Sequence, residues 1–449
     1  MTFEQIVNAV NAVVWSPALI VLLIGAGLYF SIRTRFVQIR KLPLMVKLLF
    51  APRSQEQTAG VSSFQAFCLA LSGRVGTGNI VGVATAIAIG GPGAVFWMWV
   101  IAFIGAATAF MESTLAQLYK FPHGGNWRGG PASYIEKGLG QRWLGILFAV
   151  FTIIGYGVLL AAVQSNGMAS AFENSFGVPP FWAGFTAVVL LVLVTLGGLR
   201  RIAKVAAVVT PFMAIAYVLM ALIVICAHID NVPGAFALIF RSAFGADPVF
   251  GGMVGSAIAM GVKRGLFSNE AGEGGGAIVS ASTSVDQSAK QGLVQAFSVY
   301  IDTLLVCTAT ALMILCTGLY ATDLGGNYVA YTQGAIDTVF RGWGSSFVAI
   351  ALAFFAFTTL MAYYFYAESS LSYLFETGSR KNARTERIAL WVYRGLLFSA
   401  VLGGACTQAG TAWTIGDIGV GLTTWINVIA LLLLCPKALQ ALRELERKK

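Results

Sequence analysis

Apolar runs of about eighteen residues or more recur from one end of this chain to the other, each long enough to cross a hydrocarbon core about 30 Å thick. They predict an all-α polytopic membrane protein. Composition agrees: 57% of the 449 residues are hydrophobic and 11% are charged, too little charge to cover a soluble surface of this size. Disorder is excluded, because few stretches are polar.

The runs predict about eleven transmembrane helices, over residues 14–32, 64–90, 93–118, 143–171, 181–199, 205–227, 250–280, 290–318, 345–374, 391–405 and 411–434. The net charge of +10 invites a nucleic-acid reading, but its placement is that of a topology signal. Basic residues cluster after odd-numbered spans: Arg33 to Arg53, Lys120 to Arg142, Arg200 to Lys204, Lys290, Arg380 to Arg394, and the tail from Lys437. The opposite loops hold Arg241 and Arg341 beside Asp230, Asp247, Asp323 and Asp337. The N-terminus is therefore expected outside and the tail in the cytoplasm. The N-terminus lacks the basic region of a cleavable signal, so the first span is read as retained.

Two spans break the pattern. The second reads SGRVGTGN from Ser72 to Asn79, and the seventh carries six glycines from Gly261 onward with Lys263, Arg264, Glu270 and Glu273. Glycine costs about 1 kcal/mol in a helix interior and buried charge costs more, so a plain anchor would carry neither. The breaks lie five spans apart in oppositely directed helices. That predicts a 5+5 inverted repeat, residues 63–230 and 231–436, with an extra N-terminal helix and basic loop (1–62) and a basic tail (437–449).

An unwound stretch at mid-membrane persists only where protein, water or a ligand satisfies its backbone. The half-helix beginning near Gly76 points free N–H groups into the break, which suits a carboxylate. The half-helix ending near Ser72 presents carbonyls, which suit Na⁺. Asn79 adds a carbonyl oxygen, and Thr358 and Thr359 offer hydroxyls if they face the first break. Arg74, Lys263 and Arg264 are expected to pair with Glu270, Glu273 or Glu112. The run from Tyr363 to Tyr366 is expected to be lipid-facing or packing surface, with one ring lining a pocket. The segment from His123 to Gly140 lacks the ending of a phosphate loop and reads as a compact loop and cover. Six cysteines without metal-site spacing read as buried hydrophobes, and two histidines give no metal centre.

The strings SGRVGTGNIVGVATAI, GGPGAVFWMW, GGPASYIEKGLG, VKRGLFSNEAGEG and WTIGDIGVGLTTWIN resemble the alanine/glycine:cation symporter family nearly end to end. The resemblance implies a leucine-transporter-like core and sodium-coupled uptake of a small neutral amino acid by alternating access, in a prokaryotic inner membrane. It implies that Gly76, Thr77, Gly78 and Asn79 meet the substrate carboxylate, and that Gln164, Phe267, Ser268 and Thr359 meet its amino group. It implies that Tyr363 lines the pocket, where the family often has tryptophan. Sodium is implied at Ser72, Val75, Thr358 and Thr359. Tyr363 and Glu273 depart from the family toward a larger or more polar pocket, which keeps glutamine or another polar amino acid open.

The expected partners are an amino acid, Na⁺ and membrane lipid, with no nucleic acid, and the chain is expected to act as a monomer. A proton-coupled version would use Glu270 and Glu273. A channel fits less well, since channels repeat a filter by oligomeric symmetry whereas these breaks are unlike. An enzyme would need a catalytic pair that no span supplies.

Overall fold

The computed structural model describes residues 2–51, 60–247, 249–322, 324–376 and 382–447. Arg53, Asp323, Arg380, Lys381, Lys448 and Lys449, used above for orientation, lie outside them. Helix occupies each of the eleven predicted segments. Among the described residues, eight helices are long and apolar enough to cross a membrane, or nine with the bent pair Ser63–Arg74 and Gly78–Gly90 as one. Two segments stay below that measure. Pro180–Thr195 is only 16 residues long, and the seventh is split into Val254–Asn269 and Gly275–Ala281.

The helix ends follow local chemistry. Ser62 and Gln65 form a reciprocal capping box that starts Ser63–Arg74. Thr2 and Gln5 do the same for Phe3–Val14. The tenth span, expected to be short, runs from Asn382 to Ala405. Its first turns carry Arg384 and Arg387, which hide a helix start from an apolar window. The last helix continues through the 437–449 tail as far as Arg447. It is held there by buried Leu439, Leu442 and Leu445 and by Glu446, 2.5 Å from Arg40 and 3.2 Å from Lys41.

The predicted cover forms a hairpin of Phe121–His123 and Asn126–Arg128, then the helix Pro131–Leu139. Gly124 and Gly125 both have positive φ (56° and 74°), as a two-residue hairpin turn of this hand requires.

Both broken spans are confirmed as broken, but not throughout their predicted extent. The first bends by 50° between Arg74 and Gly78. The second unwinds at Glu270, which is left-handed (φ 52°), and passes through Gly272 and Gly274, both at φ 100°. Gly261 and Gly265 do not belong to the break. They lie in continuous helix, where a Cβ would collide with Ala94 and Ile101 of Gly93–Leu118. They are close-packing glycines.

At one end of the bundle a short parallel bridge joins the stretch before the first broken helix to the stretch after the second. Val61 pairs with Thr283, and the Val61 N–H donates to the Ser282 carbonyl at 3.1 Å.

Candidate functional site

The helix Ser63–Arg74 ends at Val75, which is extended (φ −80°, ψ 90°). Two backbone N–H groups then lie free of helical pairing, and side-chain oxygens take them. The Gly76 N–H donates to Asn79 Oδ1 at 2.9 Å. The Thr77 N–H donates to Gln164 Oε1 at 2.9 Å, and the Thr77 hydroxyl donates to the same oxygen at 3.1 Å. Gly76 has to be glycine: a Cβ there would lie 2.7 Å from both Gln164 Oε1 and Thr359 Oγ1. At Gly78 a Cβ would meet the Phe267 ring at 3.0 Å. The structure thus brings Gly76, Thr77, Gly78, Asn79, Gln164 and Phe267 together.

On the other side of the same turn, the Thr359 hydroxyl lies 2.8 Å from the Ser72 carbonyl and 3.4 Å from that of Val75. It also bonds the Phe355 carbonyl at 2.9 Å. One hydroxyl proton cannot serve three carbonyls, so the oxygens are in excess, and an all-oxygen set suits a hard cation. Thr358 is not part of this group. Its hydroxyl bonds Phe355 O at 3.1 Å and reaches Met213 Sδ at 3.5 Å. Adjacent residues on a helix point about 100° apart, so the two threonines do not share a target.

Ser268 meets the first break through a residue absent from the sequence reading, Asp302. The Asp302 carboxylate accepts from Asn79 Nδ2 at 2.7 Å, Ser268 Oγ at 2.9 Å and Thr303 Oγ1 at 2.7 Å. It is fully buried. The signal was present, since a lone aspartate in an apolar span is itself a functional hint. Local winding delivers it: Gly78–Gly82, Gly155–Leu160 and Tyr300–Cys307 are π-helical turns. These turns carry Asn79, Tyr156 and Asp302, in keeping with the placing of such turns at functional sites.

The expected ion pairs are not those formed. Lys263 and Arg264 pair with Asp417, at 2.8 and 2.6 Å, rather than with a glutamate. Arg264 also lies over the Trp413 ring at 4.7 Å, and Trp413 packs on Phe267 at 4.9 Å between centroids. Arg74 has no carboxylate within salt-bridge distance among the described residues. It donates to Ser298 Oγ and, at 3.3 Å, to Gln295 Oε1. Glu270 accepts from the Tyr366 hydroxyl at 3.1 Å, Glu273 from that of Tyr156 at 2.9 Å, and Glu112 from Asn427 Nδ2 at 3.1 Å.

The aromatic run faces inward rather than toward lipid: Tyr363, Tyr364, Phe365 and Tyr366 are all buried. Tyr363 packs edge-on to Tyr156 at 5.1 Å, with its hydroxyl against Gln164. Tyr364 stacks on Tyr393 at 5.8 Å.

The two ends of this assembly differ. Toward Trp413 a cavity of about 260 Å³ is lined by Val81, Asn166, Gly167, Ser170, Glu173 and Trp413. Toward Tyr134 the chain is closed over. Arg128 lies 3.4 Å from Glu368, and Lys120 donates to the Thr283 carbonyl at 2.8 Å. Burial pulls the Lys120 ammonium down to about 8, since a charge loses hydration there.

The sequence profile of the sodium:alanine symporter family matches residues 1–449. A "Sodium/proton-dependent alanine carrier protein" of Bacillus sp. (strain PS3) is 47% identical, over 90% of this chain and 92% of that one. The "Probable sodium/glutamine symporter GlnT" of Bacillus subtilis (strain 168) is 41% identical, over 99% of this chain and 91% of that one. A solved manganese transporter from Eremococcus coleocola shares the fold at a TM-score of 0.54 and 15% identity, covering 87% of this chain and 83% of its own. The match along the whole length settles the family: this chain belongs to the sodium:alanine symporters.

Proposed function

We propose that this transporter carries a small neutral amino acid, alanine above all, together with Na⁺ by alternating access across a prokaryotic inner membrane. One observation supports the substrate site most directly. The N–H groups of Gly76 and Thr77 are held by two side-chain oxygens, Asn79 Oδ1 and Gln164 Oε1. A carboxylate presents two oxygens to the same kind of donors, and charge-assisted bonds are about twice as strong as neutral ones. An incoming amino acid would replace both side-chain oxygens, beside the Phe267 ring that packs against Gly78. The freed Gln164 oxygen, with Ser268, Thr359 and the Tyr363 hydroxyl near it, would face the ammonium.

Na⁺ would be held by the Ser72 and Val75 carbonyls and the Thr359 hydroxyl. Thr358 would join only after turning from Met213. Asp302 supplies the negative charge nearest to Asn79 and Ser268, and so favours cations in this part of the chain.

The architecture proposed is eleven spans in two inverted five-helix units, 63–230 and 231–436, outside which lie the N-terminal helix (1–62) and the tail (437–449). The basic loops and tail face the cytoplasm, the N-terminus faces outward, and the chain acts as a monomer in lipid. The closed Tyr134 end is then the inner one. Glutamine is the second reading, supported by the Tyr363 hydroxyl and Gln164 amide at the pocket. Labelled alanine taken up into proteoliposomes, with and without Na⁺ and against other amino acids, is the test. Saturable, sodium-dependent uptake is expected. Sodium-independent or non-saturable flux would overturn the reading, and stronger competition by glutamine than by unlabelled alanine would replace the substrate.

A further inference from the structure

The N-terminal helices, which belong to neither broken span, reach the substrate site through one side chain. Phe3–Val14 stops just before Ser16, which stands ahead of Pro17 and is therefore held extended (ψ 156°). Pro17–Arg33 then begins, and Trp15 sits in the elbow between the two. The last helix, Ala409–Arg447, fixes that elbow by two contacts. The Trp425 indole N–H donates to the Val14 carbonyl at 2.9 Å. Gly421 makes room for the Val14 side chain, with which a Cβ there would collide.

From the elbow Trp15 holds an ion cluster in two ways. Its indole N–H donates to the main-chain carbonyl of Asp417 at 2.8 Å. Its ring takes Lys263 Nζ at 5.2 Å from the centroid, a cation–π contact. Lys263 and Arg264 converge on the same oxygen, Asp417 Oδ2, at 2.8 and 2.6 Å. Two cations on one oxygen repel each other and compete for it. The Trp15 ring keeps Lys263 on its own side, and the Trp15 N–H holds the turn that carries Asp417, so Arg264 has a fixed anchor.

Arg264 passes that position on. It is 4% exposed, and its Nε and Nη1 have no hydrogen-bond partner among the described residues. Its guanidinium faces the rings of Trp413 and Phe267, at 4.7 and 5.6 Å. Trp413 in turn packs on Phe267, the ring that a Cβ at Gly78 would meet. Contacts therefore run without a gap from Trp15 to the wall of the proposed carboxylate site.

We propose that Trp15 is a positioning residue for substrate. By fixing Lys263 and the turn at Asp417 it sets where Arg264, Trp413 and Phe267 lie, and Phe267 limits the size of amino acid accepted. Trp15 itself touches no substrate. The proposal rests on the symport reading above.

The test is uptake of labelled alanine by the full chain in proteoliposomes under a Na⁺ gradient, with glutamine as competitor and thermal stability measured in detergent. Trp15→Ala loses both a hydrogen bond and a cation–π contact, so its alanine KM is expected to rise about tenfold. Glutamine should become a several-fold stronger competitor, because Phe267 is no longer held. The maximal rate per folded carrier should stay within about twofold of wild type. Trp15→Phe keeps a ring for Lys263 but loses the N–H, and should fall between the two. Lys263→Met removes the other end of the same link, so adding Trp15→Ala to it should raise KM by no more than about twofold further.

A tryptophan that only anchored the N-terminal helix would lower thermal stability or maximal rate and leave KM and glutamine competition as in wild type. That result would overturn the proposal, as would full multiplication of the two single effects in the double variant. Wild type without saturable, sodium-dependent uptake would instead strike the parent reading. Should Trp15→Ala fail to fold, wild-type KM and competition in Trp15→Phe would overturn the proposal by themselves.

Discussion

The Asn79 amide donates to the Asp302 carboxylate at 2.7 Å, and its oxygen accepts from the Gly76 N–H at 2.9 Å. One side chain therefore spans the proposed carboxylate site and a buried negative charge. Drawing the Asn79 oxygen toward a cation beside Asp302 would release the Gly76 N–H for substrate.

Asp302→Asn is expected to weaken sodium-dependent uptake about tenfold or more while the protein is still made. Hydrogen bonds to a charged group are worth about 1.5–3 kcal/mol. The apparent Na⁺ affinity measured alongside alanine KM checks it. Wild-type values for both would remove Asp302 from the coupling.

The two adjacent threonines should separate. Thr359→Ala is expected to raise the sodium requirement about tenfold, and Thr359→Ser to restore most of it, because the hydroxyl by Ser72 and Val75 returns. Thr358→Ala should do much less, since its hydroxyl faces Met213. Equal losses in a sodium titration would mean that both threonines reach the ion.

Gly76→Ala and Gly78→Leu are expected to abolish alanine binding without preventing insertion, one by colliding with Gln164 and Thr359, the other by colliding with the Phe267 ring. Binding measured by scintillation proximity would show it. Ordinary affinity in either variant would put the carboxylate elsewhere.

Asp417→Ala strands Lys263 and Arg264 at a buried site. Removing one partner of a buried pair costs about 3–5 kcal/mol, so a marked fall in thermal stability in detergent is expected. Arg264→Met in the same background should recover part of it. Unchanged stability would show that water reaches these cations.

How much of this was legible depends on the kind of signal. Glycine beside charge in an apolar run marked both breaks, because neither residue type is tolerated there without a reason. The same counting assigned Gly261 to the break, since a packing glycine and an unwinding glycine look alike until the Gly93–Leu118 helix is beside them. Arg264 and Asp417 are 153 positions apart, so no local pattern links them, and the nearer glutamates drew the assignment. Asp302 was visible as an intramembrane charge but not as a site residue. What places it is a π-helical turn, which has no clear mark in composition. The threonine pair shows the same limit in miniature: composition marked the hydroxyls, and only helix rotation separates Thr359 from Thr358.

The bond from the Val61 N–H to the Ser282 carbonyl is made by main chain alone. Its strength therefore does not depend on which side chains occupy those positions, and of the ordinary substitutions at Val61 only proline deletes the donor. It links the lead-in to one broken helix with the exit from the other, so neither of these ends can swing away without breaking the bond. The two discontinuous helices thus share a clasp that sequence drift cannot easily loosen.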